Sequence, residues 1–147
     1  MRRLKIRKEW MLRVLMLVVT FQLSPVSGFA QSDKAQGVMS TLQLVNDYFM
    51  AKYADPTLPT NVNRIRPSSL WTRAVYYEGL MALYEIDANP KYADYTDRWA
   101  SFHQWTPRNG VKTNDADDQC CGQTYADRYF QSGGNEKIAR ITTSQYW

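Results

Sequence analysis

The segment Asn114-Asp115-Ala116-Asp117-Asp118-Gln119-Cys120-Cys121-Gly122 gathers the residue types best suited to chemistry in this 147-residue chain. A carboxyl group delivers or takes up a proton when its surroundings tune it for the task. Two acids at the start of a helix also have a plainer use, because they meet the free N–H groups and the helix dipole there. Both readings stand for Asp117 and Asp118. Cys120 and Cys121 are the chain's two cysteines, too few for a disulfide framework. As neighbours they bridge only through a strained ring, and they read as two small, half-buried helix residues. The single histidine, His103, leaves no zinc site of the usual Cys/His type. Aromatic residues such as Trp71, Tyr77, Tyr84, Trp99, Trp105 and Tyr125 are numerous. Their flat faces suit stacking against sugar rings, and they suit an ordinary helical core equally well.

These residues need elements to hold them, and the apolar spacing supplies helices. Val38, Leu42, Val45, Phe49 and Tyr53 recur at steps of four, three, four and four, which predicts one stripe on a helix over about 38–54. Asp55-Pro56 and Pro59 end it, and residues 55–67 read as a polar loop. A second helix is expected near Ser68 or Ser69, capped by a serine hydroxyl. Leu70, Ala74, Tyr77, Met81 and Tyr84 form its stripe, and Trp71, Val75 and Leu80 widen it, as in a helix covered by others. Asn89-Pro90 is an N-cap followed by proline at the first helical position. Tyr92, Tyr95, Trp99 and Phe102 then mark a third helix, closed by Trp105, Pro107 and Asn109-Gly110. A fourth runs from about Gln119 to Phe130, broken by Gly133-Gly134, and a last short one starts near Asn135. No segment alternates as a sustained strand, although Val111-Lys112-Thr113 suits extended backbone. The class is all-α, two antiparallel helix pairs in two layers.

The first residues read differently. Met1-Arg2-Arg3-Leu4-Lys5-Ile6-Arg7-Lys8 is basic, Val14 to Phe21 is a short apolar run, and Gly28-Phe29-Ala30 has small residues at the positions a signal peptidase reads. Residues 1–30 are therefore expected to be a signal peptide cut after Ala30, giving a secreted or periplasmic product. The other reading, a membrane anchor, needs about 18 or more apolar residues, and Gln22, Pro25 and Ser27 interrupt the run. This segment carries six Lys/Arg and Glu9 out of 18 basic and 14 acidic residues, leaving 12 and 13, a net charge of −1. No basic surplus remains to attract nucleic acid or an anionic membrane.

The stretch Arg64-Ile65-Arg66-Pro67-Ser68-Ser69-Leu70-Trp71-Thr72-Arg73-Ala74-Val75-Tyr76-Tyr77-Glu78-Gly79-Leu80-Met81-Ala82-Leu83-Tyr84, together with Asn114 to Tyr125, resembles the unsaturated glycuronyl hydrolases. These are glycoside hydrolase families 88 and 105, which include unsaturated rhamnogalacturonyl hydrolases. The resemblance covers about residues 38–140. It implies an (α/α)6 barrel, a toroid of six helical hairpins with the active site at one end. Residues 31–147 would be the N-terminal portion of that domain, its first four or five helices, so an incomplete barrel with open apolar faces and self-association is expected.

The resemblance also implies a reaction. A carboxylic acid protonates C4 of a uronic acid that carries a C4=C5 double bond, as in pectin-derived oligosaccharides. Water adds at C5, and the hemiketal falls apart to release the sugar. No metal or organic cofactor is implied. Of the family's two site aspartates, the first corresponds to Asp117, or to Asp118 in the alternative register. The second lies on a later Trp-rich helix and has no counterpart before Trp147. Trp71 corresponds to a tryptophan near the sugar-binding end, although an inner-layer core position explains it as well. Arg73 is suited to a uronate carboxylate or to a pair with Glu78. His103 and Trp105 stand where they would border the cleft. The readings left open are a hydrolase, a non-catalytic remnant or carbohydrate-binding module, and a helical scaffold.

Overall fold

Asn89-Pro90 does what its residue types dictate. In the computed structural model, which describes residues 27–142 of the chain, the Asn89 side chain accepts the Lys91 N–H at 3.2 Å, and a helix starts at Pro90. The signal-peptide reading falls mostly on residues 1–26, outside the described residues. The chain forms two compact units, residues 1–41 and 42–147. The helices are α1 (Ser27–Lys52), α2 (Trp71–Ile86), α3 (Pro90–Phe102), α4 (Ala116–Gln119), α5 (Cys121–Ser132) and α6 (Ala139–Thr142), with a 3₁₀ turn at Asn135–Lys137. No helix among the described residues is long and apolar enough to cross a membrane.

Two departures from the expected pattern have the same cause, polar groups that find partners. The face of α1 that packs is shifted from the predicted stripe. Val38, Leu42 and Val45 are exposed, whereas Asn46 is buried. Asn46 accepts the Tyr76 hydroxyl at 2.6 Å, and Gln43 donates to Asp87 at 2.9 Å. Phe49 and Tyr53, the stripe members that do pack, lie 4.7 Å apart, and Phe49 stacks on Tyr76 with centroids 3.6 Å apart. In the second departure, no serine caps α2. Leu70 holds the cap position in extended backbone, without a side-chain bond. Ser68 is buried, donates to the Thr57 carbonyl at 2.8 Å and lies 3.0 Å from His103 Nε2.

The loop 55–67 contains a two-stranded antiparallel hairpin, β1 (Thr60–Val62) with β2 (Arg64–Arg66), pairing Thr60 with Arg66 across Asn63 at φ 60°. Val62 and Ile65 are both exposed, so neither face is buried and the sequence shows no alternation. Val111-Lys112-Thr113 forms no strand; Val111 and Lys112 lie in a turn.

The core lies where α2, α3 and α5 meet. Tyr77, Tyr92, Trp99, Tyr125 and Met81 are fully buried there. Trp99 lies flat on Tyr77, centroids 4.1 Å apart, and its indole N–H donates to the Ser68 carbonyl at 2.9 Å. Truncation of a buried aromatic of this kind costs about 3–5 kcal/mol. Arg128 of α5 clamps Asp97 of α3 with two bonds of 2.7 Å and passes within 5.8 Å of the Tyr84 ring on α2. One buried guanidinium thus fixes three helices. Gly133 and Gly134 take positive φ of 70° and 97° and stop α5 as expected. Lys137 then returns its ammonium to Ser132 and the Gly133 carbonyl, over the Trp105 ring.

Candidate functional site

Successive helix positions differ by about 100° around the axis, so neighbouring side chains face different surroundings. At the start of α4 this separates the two acids. Asp115 caps the helix by accepting the Asp117 N–H at 2.9 Å. Asp118 turns inward and is only 4% exposed. One of its oxygens accepts Asn109 Nδ2 at 2.8 Å and Thr113 Oγ1 at 2.9 Å, and Arg108 Nη1 stands 4.0 Å from the other. Asp117 is exposed.

The loop that reaches Asp118 is held in unusual backbone. Gln104, Trp105 and Asn109 have φ of 56°, 54° and 63°. Left-handed backbone is rare for such residues and persists where the surroundings fix it. Here the fixing groups are visible. Trp105 is buried against Tyr125 at 5.3 Å, Arg140 donates to both Gln104 and Thr106, and Gln119 donates to the Thr113 carbonyl.

Helix α2 presents a second surface. Trp71, Val75 and Glu78 recur at helical spacing on its exposed side, with Trp71 45% exposed. The rise from Trp71 to Glu78 is about 10 Å along the axis. Cys120, between α4 and α5, links this surface to the acid-bearing helix start. Its thiol is pushed up by burial, then by the charges of Glu78 and Asp117. The charges of Glu78 and Asp117 thus both reach Cys120. Cys121 is buried, and burial pushes its thiol up to about 11. Both cysteines are free, as small helix residues are expected to be.

The other candidates lie elsewhere. Arg73 is buried, donates to the Leu58 carbonyl at 3.2 Å and stacks over Tyr53, and it makes no pair with Glu78. Two positions from Trp71, it emerges on the opposite side of α2. The structure thus places the charges of Asp117 and Glu78 where both act on Cys120, puts Trp71 on the same exposed side of α2 as Glu78, and turns Arg73 and Asp118 inward. His103 is half-buried against Ser68, and its imidazole is held below 6.5 by burial and then by the charge of Arg73. No group of three or more His, Cys, Asp or Glu suited to a metal ion occurs among the described residues. The partners of Asp118 were not legible in the sequence: Asn109 and Thr113 sit in an irregular loop, where no period announces them. The exposed apolar side chains include Val75 and Ile86 on α2 and Phe130 on α5, the last 81% exposed.

Comparison with known proteins identifies the lineage of this arrangement. The family profile of Glycosyl Hydrolase Family 88 matches residues 41–147. No curated protein matches the chain. Among solved structures, a glycosyl hydrolase family 88 protein from Bacteroides vulgatus is 25% identical, with a TM-score of 0.59 over 74% of this chain and 32% of that one. A protein named as a polysaccharide lyase is 26% identical, with a TM-score of 0.58 over 73% of this chain and 31% of that one. The chain spans about a third of the length of these solved relatives. Its helices make the expected all-α fold, an incomplete (α/α)6 barrel. With the match running from residue 41 to the last residue and a shared fold beside it, the chain belongs to glycosyl hydrolase family 88.

Proposed function

We propose that this chain forms one side of the sugar site of a glycoside hydrolase acting on unsaturated uronyl oligosaccharides. Asp117 is the first of its two site carboxyls, and Trp71 is its stacking platform. The observation that carries the reading is the division of labour at α4: in a family 88 chain, Asp118 is spent on its own loop while Asp117 stands exposed, its charge and that of Glu78 both acting on Cys120. In the reaction, a proton is delivered to C4 of the double bond and water adds at C5. The hemiketal so formed opens and releases the sugar. Asp118 acts as a positioning residue for the helix start, and Arg73 supports the fold beneath Trp71. The product is exported, and its open apolar side chains on α2 and α5 favour association.

A second reading, a carbohydrate-binding module without turnover, is favoured by the length relationship, since the chain spans about a third of its solved relatives. One experiment separates the two. Purified chain is mixed with an unsaturated uronyl disaccharide, and binding is followed by calorimetry and turnover by loss of the double-bond ultraviolet absorbance. The expected result for this polypeptide alone is binding that Trp71→Ala weakens, with turnover lower by a hundredfold or more than a complete acid/base site gives. Saturable loss of absorbance that Asp117→Asn abolishes would make the chain a full catalyst. Absence of binding in the wild type would overturn both readings.

A further inference from the structure

The hairpin of β1 and β2 carries charge that the rest of the fold leaves unused. Among the described residues, Arg64 and Arg66 are the two arginines whose side chains have neither a hydrogen-bond partner nor an ion-pair partner; every other arginine meets an acceptor, as Arg98 meets Asp55 and Arg128 meets Asp97. The local sequence explains why. From Pro56 to Tyr77 the chain holds Arg64, Arg66 and Arg73 and no Asp or Glu. The acid just before this stretch, Asp55, is already held by Thr57 and Arg98. Core packing does not account for the two arginines either, since Val62 and Ile65 leave both faces of the hairpin open.

Side chains two apart on a strand share a face, so Arg64 and Arg66 lie together, about 7 Å apart along β2, with Val62 and Thr60 opposite them. Arg66 is half-buried, so part of the ordering that binding demands of its arm is already done. Both feet of the hairpin are tied to the start of α2. Ser68 donates to the Thr57 carbonyl at 2.8 Å, and Arg73 donates to the Leu58 carbonyl at 3.2 Å. The same first turn of α2 carries Trp71, 45% exposed. Between them the Leu70 N–H closes a turn onto the Pro67 carbonyl at 3.2 Å. A closed turn holds its ends within about 7 Å, and each further residue adds about 3.8 Å, so the backbones of Arg66 and Trp71 are at most about 15 Å apart.

The residue types select the partner. A guanidinium fork matches a carboxylate with two parallel bonds, and a chain of uronic acids offers carboxylates on successive rings. Phosphates would meet the same forks, but the chain after residue 30 has a net charge of −1 and no wide basic field to draw in a nucleic acid. An aromatic platform beside an acid-free basic hairpin fits an acidic sugar chain better. We infer that Arg64 and Arg66 form an outer subsite that grips the carboxylates of an oligo-uronate beyond the rings seated on Trp71. The inference rests on the sugar-site reading of Trp71, and it adds a preference for chains longer than a disaccharide.

The measured quantity is a ratio of affinities. Calorimetry on the purified chain compares an unsaturated uronyl disaccharide with an unsaturated tetrauronate and with the methyl ester of that tetramer. The wild type should hold the tetrauronate about tenfold more tightly than the disaccharide, the gain two exposed ion pairs supply. The gain should shrink with added salt and be missing from the ester. Arg64→Gln with Arg66→Gln should bring the ratio close to one, whereas Arg64→Lys with Arg66→Lys, which keeps the charge and loses the fork, should retain part of it. Trp71→Ala should weaken both ligands. A ratio near one in the wild type, or one that the Gln pair leaves unchanged, overturns the subsite; if Trp71→Ala still weakens the disaccharide in that series, the sugar site itself stands. An equal gain from a single-stranded oligonucleotide also overturns it, in favour of general polyanion attraction. Absence of binding by either sugar in the wild type overturns both readings.

Discussion

Asn109 gives its amide hydrogen to Asp118 at 2.8 Å from a residue whose own φ is 63°. The bond closes the loop between α3 and α4 onto the first turn of the helix that carries Asp117. The backbone of the loop is costly in itself, and the buried carboxylate offsets that cost by collecting Asn109 and Thr113 together. The result is a fixed helix start with one acid inside and one outside.

The two acids therefore differ in what they do for stability. Asp118→Ala takes the shared acceptor from the exposed Asn109 and the half-buried Thr113 and is expected to cost about 1.5–3 kcal/mol, as loss of hydrogen bonds to a charged group does. Asp117→Ala removes an exposed carboxylate and is expected to cost less than about 1 kcal/mol. Urea unfolding of both variants, followed by far-ultraviolet circular dichroism, checks the contrast. Equal losses would show that the inward and outward assignments are wrong.

The Asp97–Arg128 pair should behave as a buried clamp. Arg128 is buried and Asp97 about one-third exposed, so Asp97→Ala is expected to destabilise by about 2–3 kcal/mol. Replacing both, Asp97→Leu with Arg128→Met, should recover most of that loss, because the uncompensated charge is gone. By comparison Lys91→Ala, which breaks an exposed pair with Asp47, should cost under about 1 kcal/mol and respond to salt. A double-mutant cycle in low and high salt measures all three.

Stability should rise with pH through the range of His103. Burial and the charge of Arg73 hold its folded-state value below 6.5, so the unfolded chain takes up the proton first. The contribution is fully present above the unfolded value, declines as pH falls through it, and levels off below the folded one. Urea midpoints between about pH 5 and 7.5 sample this group away from carboxylate titration. His103→Gln should flatten the profile, and a wild-type curve already flat would refute the assignment.

Export leaves a chemical mark at the new terminus. The basic stretch, the apolar run and Gly28-Phe29-Ala30 predict a mature chain beginning at Gln31. The cut would fall in the first turn of α1, which starts at Ser27. N-terminal sequencing of the secreted fraction decides it, and intact Met1 recovered with membranes would favour an anchor.

How much of this was legible depends on whether the deciding interaction was local. Asn89-Pro90 and the steps from Tyr92 to Trp99 are local, and α3 formed as they require. The Gly133-Gly134 stop is local too. The packed face of α1 was not, because the buried Asn46 and the half-buried Gln43 are held by bonds to Tyr76 and Asp87 across 30 and 44 positions. Apolar periodicity cannot see a polar residue that is satisfied at a distance. Ser68 escaped for the same reason, drawn to Thr57 and His103 in place of a cap. At the site, the acidic helix start could be read, but the orientation of each acid depended on Asn109 and Thr113. By type Arg73 suits a uronate carboxylate or a pair with Glu78; its position, two residues from an exposed Trp71, turns it inward.

The stack of Trp99 on Tyr77 has a spectroscopic consequence. Trp99 is enclosed, hydrogen-bonded and 4.1 Å from a tyrosine ring, so its emission belongs at the blue end and is fed by energy transfer from that tyrosine. Trp71, nearly half exposed on α2, emits further to the red and is open to iodide or acrylamide. The two indoles thus label different events. With Trp10, Trp105 and Trp147 replaced by Phe, quenching reports what occupies the outer face of α2, and the loss of tyrosine-sensitised blue emission reports opening of the core. A molecule that settles on Trp71 without disturbing the fold would change the first signal and leave the second alone.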